Sequence, residues 1–158
     1  FTRTRASTAR VFGLIAGLMG LLGVFVFQTL LVLGLMTFSQ ELPYVNASYA
    51  LIGVWFLVFH RLAHPSPIAP RGLASFGLGI GIAWVLGAIL AWMGGWPTFV
   101  DGSAFDFSDM SPITLVGLTL FSLGYLLEPI WALWLGRTLR SGRVFPTHAG
   151  RRPRPCTG

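Results

Sequence analysis

Residues 73–93 read LASFGLGIGIAWVLGAILAWM and contain no charged side chain. At a rise of about 1.5 Å per residue, a helix of this length crosses a hydrocarbon core of about 30 Å. Arg71 precedes the run, and Gly94, Gly95 and Pro97 follow it with residues that end helices. We therefore predict a transmembrane helix over 73–93.

Three further apolar runs of comparable length cover about residues 11–38, 44–63 and 113–136. The composition agrees, because 54% of the residues are hydrophobic and only 10% are charged, too few charges for a water-soluble surface. We predict an all-α integral membrane protein with four transmembrane helices in a bundle over 1–136. The four spans and their connections leave no room for a separate soluble domain.

The charged residues predict which side of the membrane each connection faces. The arginines lie before the first run, between the second and third, and after the fourth, whereas Glu41, Asp101, Asp106 and Asp109 lie in the other two connections. This is the positive-inside pattern, and it predicts that both termini are cytoplasmic. We expect a multi-pass protein of the cell membrane, specifically a bacterial inner membrane.

The segment 137–158 is predicted to be a basic cytoplasmic tail rich in proline and arginine. Because its arginines continue from the end of an apolar run, the net charge of +6 indicates anionic cytoplasmic lipid or a partner subunit rather than nucleic acid. The candidate contact residues are Arg137, Arg140, Arg143, Arg151, Arg152 and Arg154.

Small residues recur at helical spacing in two of the runs. Gly13 and Gly17 are four residues apart in the first, and Gly77, Gly81 and Gly87 share the third. Such residues let helix backbones approach closely in a membrane. They predict packing faces, and both packing within the chain and packing against another subunit remain open.

Glu128 is the most informative single residue, because the arginines after the fourth run place it inside the hydrocarbon, on the cytoplasmic side. Three interpretations are open: a neutral acid that bonds the Tyr125 carbonyl freed by Pro129, a partner subunit that pairs with the carboxyl, or a proton or cation pathway. Gln28, in the outer third of the first run, is a second polar residue available for partner contact.

His60 and His64 are spaced i, i+4 at the cytoplasmic end of the second run, so they can face the same way. This spacing suits a shared metal, and either imidazole suits an axial position on haem b. The alternative is a pair of interfacial imidazoles near lipid headgroups. The metal-ligand pattern is incomplete, so no cofactor is predicted and haem b stays the weaker hypothesis.

The sequence contains no nucleophile–base pair, phosphate-binding loop or complete metal-ligand set, so we do not expect an enzyme. The packing faces, Glu128 and the basic tail would each be satisfied by a neighbouring protein. They predict an accessory, structural or assembly subunit of a larger membrane protein complex. The alternative is a small homo-oligomeric carrier or channel in which Glu128 titrates.

Overall fold

A computed structural model describes residues 2–63, 70–95 and 110–140 of the chain. It contains four helices, which we number in chain order: α1 (Thr2–Val32), α2 (Phe38–Ala63), α3 (Arg71–Met93) and α4 (Pro112–Arg140). Each is long and apolar enough to cross a membrane. The predicted all-helical class with four candidate membrane-spanning helices is therefore confirmed.

The boundary between the first two helices differs from the prediction of spans over 11–38 and 44–63. The helix α1 ends at Val32, and Gly34 follows in the left-handed region with φ of 69°, where glycine has no steric cost. The helix α2 then begins at Phe38, well before the predicted start.

A reciprocal capping interaction explains the early start of α2. The Thr37 backbone N–H donates to Oε1 of Gln40 at 3.0 Å, and the Gln40 N–H donates to Oγ1 of Thr37 at 3.4 Å. This capping box satisfies backbone donors that a helix start would otherwise leave without partners. Pro43 lies inside α2, where only the Ser39 carbonyl loses its helical donor.

The helices pack as a row in which α1 contacts α2, α2 contacts α3, and α3 contacts α4. Rings also join α2 to α4, since Phe56 and Trp131 lie 4.8 Å apart between centroids. Half of the apolar window of α3 is buried, against 17% of that of α1. The helices α2, α3 and α4 therefore form a compact group, and α1 lies at its edge.

Close backbone approach at glycines sets the spacing between neighbouring helices. A Cβ atom on Gly17 would lie 2.8 Å from Cγ of Trp55, and one on Gly81 would lie 2.9 Å from the carbonyl oxygen of Gly53. Gly13 faces Val58, Gly77 faces the His60 ring, and Gly87 faces the Gly117 carbonyl. The structure thus places all five predicted packing glycines at contacts within this chain.

Replacing Gly87 by leucine is expected to lower the free energy of unfolding by about 2 kcal/mol, because the added side chain meets the α4 backbone at Gly117 and Phe121. Gly79→Leu in the same helix is the matched control, since nothing lies within 4 Å of a Cβ atom there. Unfolding in detergent measures both variants. Equal stability of the two would show that the α3–α4 contact does not need a glycine.

Candidate functional site

Glu128 lies on α4 within the span, four residues after the buried Gly124 and three before the buried Trp131. Its side chain is half-buried. Across residues 2–63, 70–95 and 110–140, no hydrogen bond or ion pair joins its carboxyl group to another residue. The bond from a neutral Glu128 to the Tyr125 carbonyl stays a prediction.

Tyr125 lies at the centre of the ring contacts between α2 and α4. Its ring centroid is 4.3 Å from that of Tyr49 and 5.4 Å from that of Phe121. Tyr49 and Tyr125 are both partly buried and pack against the core of the helix group. The tyrosine pair thus places two hydroxyl-bearing side chains in the contact between α2 and α4.

The side chain of Pro129 is exposed at the surface of the helix group, and α4 continues through this residue to Arg140. Arg137 and Arg140 are exposed in the last turn, where positive charge interacts favourably with the helix dipole. The other predicted tail contacts lie outside the described residues: Arg143, Arg151, Arg152 and Arg154.

The position of Glu41 differs from the prediction that it lies in an outer connection. The structure places it in the first turn of α2, with 1% of its side chain exposed. Its Oε1 atom has no hydrogen-bond partner. The signal that could have located it is the capping box of Thr37 and Gln40, which moves the helix start ahead of Glu41.

His60 is buried within the helix group rather than exposed to lipid headgroups, so the interfacial interpretation is wrong for this residue. Its side chain is 3% exposed, and its ring packs against Phe56 and Trp131 with centroids 5.4 and 5.3 Å away. Both ring nitrogens are enclosed and have no hydrogen-bond partner. His64 lies outside the described residues.

The haem and metal hypotheses stay predictions, and the structure shows the packing around His60 alone. Its Nε2 atom abuts the backbone of Gly77, where an axial ligand would need room for iron. Within the part of the chain that the structure describes, no three His, Cys, Asp or Glu residues group as metal ligands.

Aromatic rings fill the interface between α2, α3 and α4. Neighbouring centroids lie about 4 to 6 Å apart, a spacing at which rings attract each other. The indole N–H groups of Trp84 and Trp131 are enclosed there without acceptors. We call this continuous set of rings the aromatic column; its members are Phe121, Tyr49, Tyr125, Trp84, Phe56, Trp131 and His60.

A hydroxyl pair joins the end of α3 to the start of α4. Oγ1 of Thr114 donates to the Gly94 carbonyl at 2.8 Å, and Oγ of Ser111 donates to the same oxygen at 3.1 Å. Thr114 is fully buried. The two hydroxyls therefore satisfy a carbonyl that the end of α3 leaves without a helical donor.

No family model matches this chain, and no curated protein and no solved structure is similar enough to match it.

Thr114→Val is expected to lower the free energy of unfolding by about 1 kcal/mol, because it removes one of the two donors to the buried Gly94 carbonyl. Thr119→Val on the same helix is the control: that hydroxyl is exposed and bonds only the Leu115 carbonyl of its own helix. Detergent unfolding of both variants measures the difference. A larger loss in Thr119→Val would contradict this role of Thr114.

His60→Leu is expected to leave the free energy of unfolding within about 1 kcal/mol of the wild type, because an apolar side chain replaces two enclosed nitrogens that lack partners. Trp131→Ala, which empties the adjoining position, should cost about 3 to 5 kcal/mol. Unfolding curves for the two variants test the comparison. If His60→Leu were as unstable as Trp131→Ala, His60 would have to make a stabilising hydrogen bond that the structure does not show.

Proposed function

We propose that this protein is an accessory or assembly subunit of a larger membrane protein complex. It spans a cell membrane, taken here as a bacterial inner membrane, with both termini in the cytoplasm. Other membrane subunits are its partners, and anionic lipid covers its basic cytoplasmic end.

The proposed orientation is supported by the way the helix ends lie together. Gly13 of α1 faces Val58 of α2, Gly77 of α3 faces His60, and Gly72 of α3 faces Trp134 of α4. These contacts bring the arginine-bearing ends of all four helices to the same end of the group. A single positively charged end is what the positive-inside rule requires of a cytoplasmic surface.

Glu128 carries the proposal of a subunit role. A carboxyl in the hydrocarbon costs about 2 to 3 kcal/mol unless it is protonated, paired or hydrated. This one is half-exposed from α4 and has no partner among the residues described. A donor on a neighbouring subunit would offset that cost.

The filled interior weighs against a carrier or channel formed by one chain, because rings occupy the interface between α2, α3 and α4. The carrier alternative gains one observation from the structure. Glu41 is a second carboxyl within a candidate span, and its side chain is buried. In that alternative the route would run between copies of a homo-oligomer, with Glu128 as the titrating group.

The subunit proposal is tested by purifying the protein from its own membrane in mild detergent and recording native mass spectra. We expect larger polypeptides to co-purify in a fixed ratio. Glu128→Leu should weaken their association about tenfold, the usual effect of one polar contact between membrane helices, whereas Glu128→Gln keeps a hydrogen-bonding side chain and should stay associated. Leu126→Met, on the exposed surface of α4, is the control and should change nothing.

Recovery of the chain alone, or only as a homo-oligomer, would overturn the subunit proposal. Proton-flux measurements in vesicles would then decide the alternative. A carrier should lose flux in Glu128→Gln while the protein still folds, because the amide cannot exchange a proton at neutral pH.

A further inference from the structure

Gln28 is an exposed amide on the otherwise apolar outer part of α1. Among the residues that the structure describes, no side chain or backbone group hydrogen-bonds to it. Its neighbour Thr29 differs, because the Thr29 hydroxyl donates to the Phe25 carbonyl at 2.7 Å. Gln28 is therefore the side chain on this surface with both a free donor and a free acceptor.

Apolar surface extends along α1 on both sides of this amide. Phe25 is 70% exposed one turn before it, and Val32 is 83% exposed one turn after it. Leu33 and Leu35 continue the apolar surface past the end of the helix. The amide thus lies within the apolar band, where lipid tails offer no hydrogen-bond partner.

A shallow, open groove of about 480 Å³ runs along the side of α1 that carries Gln28. The groove is made by α1 and the residue after it, and it is apolar apart from Gln28 and Thr29. Its lining residues are Leu21, Val24, Phe25, Gln28, Thr29, Val32 and Leu33. Because α1 lies at the edge of the helix group, a helix can enter this groove without displacing α3 or α4.

We propose that the occupant is α1 of a second copy of this chain, with the two Gln28 amides hydrogen-bonded to each other. An amide is self-complementary, since each copy supplies one donor and one acceptor. A two-fold axis normal to the membrane places the same residue of both copies at the same depth. A second copy therefore meets the depth and the chemistry of Gln28 together, and this dimer contact is separate from the proposed contact at Glu128.

The dimer is tested with two differently tagged full-length copies expressed in the same membrane. Cys156→Ser removes the single native cysteine, and new single cysteines replace Leu21 or Phe25 in the groove. We expect cross-linked dimers from both positions. Met19→Cys and Val26→Cys are the controls, because both residues are exposed on α1 but do not line the groove.

Gln28→Leu should reduce the cross-linked fraction about tenfold, and Gln28→Asn should largely restore it, because asparagine keeps the amide. Equal cross-linking from Met19→Cys, or cross-linking unchanged by Gln28→Leu, would overturn the proposal. A cross-link from Phe25→Cys to a different polypeptide would overturn it as well, yet it would leave the subunit role standing. Conversely, if no larger polypeptides co-purify, the subunit proposal fails, but the cross-linking result still decides whether the dimer forms.

Discussion

The fold depends on the close approach of helix backbones at glycine positions. The α2–α3 contact forms where Gly53 and Gly81 face each other, and the α3–α4 contact where Gly87 and Gly117 do. Apolar helices in a membrane have little hydrophobic drive to associate, so they rely on the dispersion contacts that short separations allow. With the backbones this close, the rings between α2, α3 and α4 lie in mutual contact and fill the interface. The close approach at the glycines and the contacts within the aromatic column therefore depend on each other.

The helical class and the four helices long enough to cross a membrane were predictable, because an apolar run of that length favours a membrane-spanning helix. The placement of Glu41 and His60 was not. Glu41 was assigned to the connection between the first two apolar runs, whereas the capping box of Thr37 and Gln40 starts α2 upstream of it. His60 was assigned to the interface because sequence spacing does not reveal which neighbour a helix face meets, here Gly77.

The two carboxyls within the candidate spans have different surroundings, although residue type alone makes them equivalent. Glu41 is enclosed by its own chain, so only groups within this protein can offset the free-energy cost of burying its carboxyl. Glu128 is half-exposed from α4, so whatever lies beside that helix also determines its state. Glu128, rather than the more deeply buried Glu41, is therefore the carboxyl that a neighbouring protein could contact.

The turn between α1 and α2 has a consequence for the biogenesis of the protein. Only residues 33–37 separate the two helices, and Phe27 of α1 stacks on Tyr44 of α2 with ring centroids 5.0 Å apart. In the proposed orientation, so short a turn must cross the bilayer together with both of its helices. The insertion machinery would therefore handle α1 and α2 as one helical hairpin, and Glu41 would be carried across within an already paired unit.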